Sequence, residues 1–233
     1  MGVVILVSSE KKEIGKTIVA IKTAIELSRK GKNVLLLDLS LGKRKISEYL
    51  NISENIIYDI KDVLDGICSY EQAVINFQSN LSILPYPRVA NKLGEINRES
   101  FSKLISEVKD KYDVIIIDAD NLTLSYYLDF ENIDRAVILD NNDFSAVKDI
   151  NTGICILDKF GLKNPMVILN KYDKKSANKG SMIAHKEIRK LIERDISGII
   201  DENIKYDKAD SYFLFSEEKN SFTDAIGKII NNL

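Results

Sequence analysis

The sequence predicts a single α/β domain spanning residues 1–233, with a mostly parallel sheet of about seven strands flanked by helices. Short, continuous apolar runs alternate along the chain with segments whose apolar residues recur at helical spacing. Such runs are typical of strands that are buried on both faces, as in parallel sheets. A length of 233 residues suits one domain with a large hydrophobic core.

The apolar runs define the strands. Strands are predicted at residues 3–7, 34–38, 81–87, 112–118, 135–140, 166–169 and 196–200. Gly31 ends the helix that follows the first strand, and prolines end the third strand because proline cannot continue a ladder of hydrogen bonds. The order strand, loop, helix, strand is that of a βαβ unit, in which ligands bind at the carboxyl ends of the strands.

The segments between the strands have helical patterns. Longer helices are predicted at residues 17–30, 101–111 and 143–159. Asp143 is the expected N-cap of the last of these. Residues 42–80 are also helical in pattern, with Ala73, Val74 and Phe77 on one face. The C-terminal segment 222–233 is amphipathic, but Lys228 is its only cation, so we expect it to pack on the sheet and not on a membrane.

Composition excludes several classes of protein. The net charge of -2 provides no overall attraction to nucleic acid or anionic lipid. The two cysteines lie far apart in the sequence, which fits reduced thiols, and a single histidine argues against a zinc site. No apolar run approaches the roughly 18 residues of a membrane span. We therefore expect a cytoplasmic protein.

The loop after the first strand carries the clearest chemical signal, because it ends in Gly15, Lys16 and Thr17. A strand leading into such a loop places backbone N–H groups and the positive end of a helix where a phosphate chain can bind. Gly15 would permit close approach of the backbone, Lys16 would reach the β- and γ-phosphates, and the Thr17 hydroxyl would hold Mg²⁺. The full motif has glycine six residues before the lysine, where this chain has Glu10.

This loop resembles that of the deviant Walker A ATPases of the ParA/MinD family, which reads approximately Lys-Gly-Gly-Val-Gly-Lys-Thr. Lys11 falls on the signature lysine of the family, and the resemblance implies that it reaches the nucleotide of a partner subunit in a sandwich dimer. Lys12 and Glu13 replace two glycines, and a carboxylate at Glu13 stands where phosphate charge is expected. A degenerate relative that acts as an interaction scaffold and binds no nucleotide is therefore a second hypothesis.

Two aspartates end the second and fourth predicted strands. By resemblance, Asp118 is the Walker B aspartate that binds Mg²⁺ through water, and Asp38 begins an Asp-x-Asp sequence near the metal or the attacking water. Ser40 replaces the second aspartate of that sequence. Since serine cannot take a proton from water at neutral pH, we expect slow hydrolysis. Asp120 is interpreted as a helix cap, with a second Mg²⁺ ligand as the alternative.

The end of the sixth predicted strand reads Asn170, Lys171, Tyr172, Asp173. This is the Asn-Lys-x-Asp sequence that reads guanine in GTPases, but ParA/MinD relatives also carry asparagine and a basic residue here, and these frame adenine. The Asp-x-x-G turn of GTPases is absent after Asp118. Adenine is therefore favoured, and a GTP-binding variant is the alternative.

Together these observations predict an ATP-binding switch with Mg²⁺ and weak hydrolysis, which by family analogy positions or partitions a cellular cargo or machine. The predicted nucleotide-binding residues are Lys11, Lys12, Glu13, Ile14, Gly15, Lys16, Thr17, Ile18, Asn170, Lys171 and Asp173. The predicted catalytic residues are Lys11, Lys16, Asp38 and Ser40, and the predicted metal ligands are Thr17, Asp38 and Asp118. The resemblance implies a nucleotide-dependent homodimer and a protein partner. Contact with DNA or a membrane is not favoured, because the basic residues between 171 and 194 fit a solvated face.

Overall fold

The computed structural model describes residues 1–87, 96–122, 128–202 and 211–232. Its strands form one eight-stranded sheet with the order β3-β4-β2-β5-β1-β6-β7-β8. The pairs are parallel except for β3, which runs antiparallel to β4 at one edge. The strands are β1 (Val3–Ser8), β2 (Val34–Leu39), β3 (Ile75–Gln78), β4 (Leu81–Leu84), β5 (Val114–Ala119), β6 (Arg135–Asp140), β7 (Met166–Tyr172) and β8 (Ile196–Asp201). The predicted fold class is confirmed, with one strand more than expected.

Helices cover both faces of the sheet. They are α1 (Lys16–Arg29), α2 (Ile46–Tyr49), α3 (Ile60–Leu64), α4 (Tyr70–Ala73), α5 (Arg98–Lys109), α6 (Ala146–Lys159), α7 (Lys174–Asn178), α8 (His185–Ile192), α9 (Ser211–Phe215) and α10 (Ser221–Asn231). Alternate residues of the strands enter two separate hydrophobic clusters. One cluster contains residues of α5, α6 and α8, and the other contains residues of α1 and α10. Burial on both faces explains why the strands are continuous apolar runs.

The prediction of helix over residues 73–77 is wrong. A short helix ends at Ala73, and the chain then forms β3, which pairs with β4. Partly buried Ile75 and Phe77 alternate with exposed Asn76 and Gln78, as expected of a strand at the edge of a sheet. The side-chain oxygen of Gln72 accepts the backbone N–H of Ser69, and this capping box marks the start of the one-turn helix.

Two smaller expectations concern helix ends. Helix α6 begins after Ser145, two residues later than predicted, and Asp143 is not its N-cap. The Asp143 carboxylate accepts the backbone N–H of Ser145 at 3.0 Å and also contacts Lys11.

Helix α10 packs against β8 and α1 and buries Phe222 and Ile226, which confirms that this segment covers the sheet. In the described part of the chain, no helix combines the length and apolar character needed to cross a membrane.

Candidate functional site

The loop between β1 and α1 adopts a conformation that favours anion binding. Glu13 has a φ of 57° and Gly15 a φ of 88°, so the backbone enters the left-handed region twice within three residues. Concavities lined by backbone N–H groups form in turns of this kind. A Cβ atom at Gly15 would lie 2.5 Å from the side-chain nitrogen of Asn170, so this position requires glycine for space as well as for φ.

A cavity of about 470 Å³ opens beside this loop. Its lining combines the loop, the segment after β2, the end of β7 and one aromatic ring of α10. The lining residues are Glu13, Ile14, Gly15, Lys16, Thr17, Ile18, Ser40, Gly42, Lys43, Arg44, Tyr49, Asn170, Lys171 and Phe222. The structure therefore brings together most of the predicted nucleotide-binding residues, whereas Lys11, Lys12 and Asp173 do not line this cavity.

The acidic side chains of the loop do not turn into its interior. The Glu13 carboxylate is 61% exposed and pairs with Lys43 at 2.6 Å, so it lies at the solvent-facing wall of the cavity. Glu10 directs its carboxylate toward the segment after β5, where it accepts the backbone N–H of Leu122 at 2.9 Å. The space beneath the loop is therefore not filled by either carboxylate.

Lys16 lies at the start of α1 and is almost completely buried, with 6% of its surface exposed. Its Nζ is 3.5 Å from the carbonyl oxygen of Lys11 and 3.8 Å from a carboxylate oxygen of Asp120. A buried ammonium group at the N-terminal end of a helix can compensate the negative charge of a phosphate.

Lys11 is folded onto its own chain. Its Nζ donates hydrogen bonds to Asp140 at 3.1 Å, to the side-chain oxygen of Asn141 at 3.0 Å and to Asp143 at 2.7 Å. Burial lowers the pKa of Lys11, but the hydrogen bonds and charges of Asp143 and Asp140 outweigh this effect and leave the pKa above its ordinary value. The resemblance implies that Lys11 reaches outward to a partner subunit in a sandwich dimer. In this conformation Lys11 instead contacts residues of its own subunit.

The predicted metal ligands meet at the carboxyl ends of β2 and β5. Asp38 and Asp118 are register partners on these neighbouring strands, and both are fully buried. Asp38 accepts the backbone N–H groups of Ser40 at 3.2 Å and of Ile46 at 2.8 Å. Burial nevertheless raises the pKa of Asp38 to about 6.

Asp118 differs from Asp38 in having no hydrogen bond of normal geometry to either carboxylate oxygen from any residue that the structure describes. Burial, together with the charge of Asp38, raises the pKa of Asp118 well above its ordinary value, while the Thr17 hydroxyl and Lys16 act in the opposite direction. An uncompensated buried carboxylate is costly, and a divalent cation would satisfy it. Asp118 and Thr17 therefore fit Mg²⁺, whereas the oxygens of Asp38 are already engaged by the backbone.

The described residues contain no group of three or more His, Cys, Asp or Glu side chains arranged to hold a metal ion by themselves. This fits Mg²⁺, which typically uses one or two carboxylates together with phosphate oxygens and water. The interpretation of Asp120 as a helix cap depends on residues 123–127, which lie outside the described residues. The Asp120 carboxylate accepts the backbone N–H of Leu41 at 2.6 Å, across the ends of two strands, and faces Lys16.

Asn170 and Asp173 of the Asn-Lys-x-Asp sequence both make hydrogen bonds within the chain. The side-chain amide of Asn170 donates to the carbonyl oxygen of Ile14 at 2.6 Å and so fastens β7 to the loop. Asp173 caps α7 by accepting the backbone N–H of Ser176 at 2.9 Å. Of the four residues, only Asn170 and Lys171 line the cavity.

The sequence analysis missed several residues of the site. Lys45 donates a hydrogen bond to the carbonyl oxygen of Ser40, and its Nζ lies 3.4 Å from the centroid of the Tyr86 ring. Phe222 reaches the cavity from the last helix. The run of three basic residues at 43–45, directly after a strand that ends in aspartate, was a signal that could have indicated Lys45.

Comparisons with known proteins agree with this geometry. A family model described as "AAA domain" matches residues 2–129, a range that includes β1, the loop, Asp38 and Asp118. The septum site-determining protein MinD of Bacillus subtilis is 26% identical over 217 residues, which cover 91% of this chain and 81% of that protein.

Solved structures extend the similarity to the whole fold. The MinD protein in the MinC:MinD cell division protein complex of Aquifex aeolicus superposes with a TM-score of 0.83 at 26% identity, covering 99% of this chain and 96% of that one. MinD of Pyrococcus horikoshii, solved in complex with Mg-ADP, has the same TM-score at 23% identity and covers 98% and 96% of the two chains, which is a likeness of fold.

Proposed function

Because this chain belongs to the ParA/MinD family of P-loop ATPases, we propose that it binds ATP together with Mg²⁺ and acts as a nucleotide-dependent switch. The relatives named above are septum site-determining and cell division proteins. By analogy, the switch would position or partition a cellular cargo or machine, with a protein as its partner.

The observation that carries this proposal is the state of Asp118. Its two oxygens are buried at the carboxyl end of a central strand and accept no hydrogen bond of normal geometry from the described chain, with the Thr17 hydroxyl beside them. A residue in this state destabilises the ligand-free protein, so its presence is best explained by a ligand that compensates its charge. Thr17 and Asp118 would hold Mg²⁺, which when bound supplies positive charge to the phosphate chain.

The phosphates would bind at the loop that leads into α1. Gly15 lets the backbone approach them closely, the N-terminal end of α1 provides oriented N–H groups, and Lys16 supplies a buried positive charge. The base would lie toward Asn170, Lys171 and Phe222, which line the cavity beyond the loop.

Adenine is the base that this arrangement favours. In a GTPase the aspartate of Asn-Lys-x-Asp accepts hydrogen bonds from guanine, but here the Asp173 carboxylate caps α7 and does not line the cavity. A guanine-reading role would require Asp173 to give up this cap. Hydrolysis should be slow, because Ser40 lacks a group that can take a proton from water, and its hydroxyl accepts the backbone N–H of Gly42 at 3.2 Å.

Dimerisation would require a rearrangement of Lys11. For this lysine to reach a partner subunit, its contacts with Asp140, Asn141 and Asp143 must first break. Bound ATP in a second subunit would offer phosphate oxygens in their place. The proposed homodimer is therefore expected to form with ATP and not in the absence of nucleotide.

A thermal-shift titration tests this function. Mg-ATP should raise the melting temperature of the wild type, Mg-GTP should have a smaller effect, and Lys16→Ala should abolish the shift with either. A stabilisation by GTP alone would overturn the choice of adenine. The absence of any shift with either nucleotide, at concentrations up to several millimolar, would instead favour the interaction scaffold suggested by Lys12 and Glu13.

A further inference from the structure

Lys45 places a positive charge beside the proposed metal site. It lies between β2 and α2, and its half-buried side chain turns back toward the carboxyl ends of the strands. The Nζ donates a hydrogen bond to the carbonyl oxygen of Ser40 and lies over the ring of Tyr86, 3.4 Å from the centroid. A cation on an aromatic face is bound more strongly when it is partly removed from water. The two contacts therefore hold this charge in a defined position.

Three carboxylates surround the loop that carries Lys45. We call Asp38, Asp118 and Asp120 the carboxylate cluster. Asp38 accepts the backbone N–H of Ile46, the residue that follows Lys45, and Asp120 accepts the backbone N–H of Leu41. Both ends of the loop are thereby fastened to members of the cluster, which keeps the backbone of Lys45 beside it.

The charges of this region are not balanced without Lys45. Among the described residues, Lys16 is the one cation paired with the cluster by direct contact, at 3.8 Å from Asp120. Burial has the largest effect and lowers the pKa of Lys45 below its ordinary value, while the charges of Asp38, Asp120 and Asp118 act in the opposite direction and favour the ammonium form. Lys45 and the cluster therefore stabilise each other's charged states through space.

We propose that Lys45 is a resident cation of the carboxylate cluster, which weakens the binding of free Mg²⁺ and makes nucleotide binding less dependent on Mg²⁺. A fixed positive charge repels a divalent cation that enters the same cluster, and it attracts the phosphate chain of a nucleotide. The second effect rests on the proposed function, because it requires that a nucleotide bind at the loop. The first effect requires only the cluster itself.

Binding of Mn²⁺ to the ligand-free protein tests the first effect. Mn²⁺ is a paramagnetic substitute for Mg²⁺, and electron paramagnetic resonance measures its free concentration directly. Lys45→Met should bind Mn²⁺ roughly tenfold more tightly than the wild type, while Lys45→Arg should resemble the wild type because it keeps the charge. Equal Mn²⁺ affinities of the wild type and Lys45→Met would overturn the proposal.

Lys111→Met is the matched control. Lys111 also lies near an aromatic ring, with its Nζ 4.7 Å from the centroid of Tyr70, but it follows α5 near the opposite ends of the strands. Its removal should leave Mn²⁺ binding unchanged, and a change as large as that of Lys45→Met would overturn the local role of Lys45. Lys45→Gln replaces Lys45→Met if the latter does not show the cooperative unfolding of the wild type.

Nucleotide titrations with and without EDTA test the second effect. The ratio of the ADP dissociation constant in EDTA to that in Mg²⁺ should be roughly tenfold larger for Lys45→Met than for the wild type. An unchanged ratio would overturn the role of Lys45 in nucleotide binding. If the wild type binds no nucleotide under either condition, the proposed function fails, while the Mn²⁺ titration still decides whether Lys45 acts on the cluster.

Discussion

Replacement of Asp118 by asparagine should stabilise the ligand-free protein while it removes the effect of Mg²⁺ on nucleotide binding. Asp118 is fully buried, and neither oxygen accepts a hydrogen bond of normal geometry from the described residues, although the nearby Thr17 hydroxyl lowers its pKa. An unsatisfied buried group costs about 1–3 kcal/mol, and more when it is charged. Asparagine has nearly the same shape, carries no charge and can donate a hydrogen bond to Asp38, its register partner. We therefore expect Asp118→Asn to raise the free energy of unfolding by about 1–3 kcal/mol.

Asp38→Asn is the matched control, because Asp38 lies beside Asp118 and is equally buried. Its two oxygens accept the backbone N–H groups of Ser40 and Ile46, and asparagine supplies one oxygen where two are needed. One N–H group would lose its acceptor at a cost of about 1–3 kcal/mol, which offsets the gain from removing the charge. Asp38→Asn should therefore be less stable than Asp118→Asn.

Thermal unfolding near pH 7.5, first in EDTA and then with Mg-ATP, measures both effects. For a domain of this size a change of about 1 kcal/mol shifts the melting temperature by roughly 2–4 °C, so Asp118→Asn should melt roughly 2–12 °C above the wild type in EDTA. Added Mg-ATP should then raise its melting temperature less than that of the wild type. A lower melting temperature than wild type in EDTA would refute the inference that Asp118 is uncompensated.

Three further predictions concern the loop and the residues that hold Lys11. Gly15→Ala should lower the free energy of unfolding, measured in urea, by about 2–3 kcal/mol, because the new Cβ atom displaces Asn170 from the carbonyl oxygen of Ile14 and because φ at residue 15 is positive. The loss should be smaller when Gly15→Ala is made in an Asn170→Ala background. Glu13→Gly should increase the affinity for ATP by up to about fivefold, because it removes the repulsion between the Glu13 carboxylate and the phosphates. About fivefold corresponds to two unit charges about 4 Å apart in water, and high salt should reduce this gain in affinity. Burial raises the pKa of Asp140 to about 6, against the effect of Lys11, so the folded state holds a proton that the unfolded chain releases near its ordinary value of 3.8. The stability that protonated Asp140 contributes to the wild type is therefore lost as the pH rises from about 4 to about 6. In urea titrations, the free energy of unfolding of Asp140→Asn relative to that of the wild type should increase by up to about 3 kcal/mol between about pH 4 and pH 7. A difference in free energy that does not change with pH would contradict this prediction.

The sheet could be predicted from the sequence because burial on both faces leaves a strong signal. Strands such as β1 and β5 begin with an uninterrupted apolar run, and each has a polar residue at or near its carboxyl end. The strand β3 could not be recognised in the same way. It is four residues long and lies at the edge of the sheet, and Phe77 also fits a helical face together with Ala73 and Val74.

The site was predictable in its residue types and not in the directions of its side chains. Parallel strands bring their carboxyl ends to one edge of the sheet, so Asp38 and Asp118, each at the end of a predicted strand, could be expected near the loop, and the structure pairs them. The contacts of Lys11 and Asn170 could not be expected, because each depends on residues more than 100 positions away. Lys45 was missed for a related reason, since its proximity to Asp118 depends on how the loop after β2 folds back.

The substitution of glycine by Glu13 bears on the choice between a binding loop and a simple connection. A left-handed conformation is strained for a residue with a Cβ atom, such as Glu13. A loop that only joined β1 to α1 could avoid this conformation. Here the surrounding contacts enforce it, because Asn170 holds the carbonyl oxygen of Ile14 and leaves no space for a Cβ at Gly15. Glu13 meets this constraint with its carboxylate turned to solvent and to Lys43, at the wall of the cavity. The loop thus has a backbone shape suited to anion binding even with glutamate at a left-handed position, which favours a loop whose N–H groups bind a ligand.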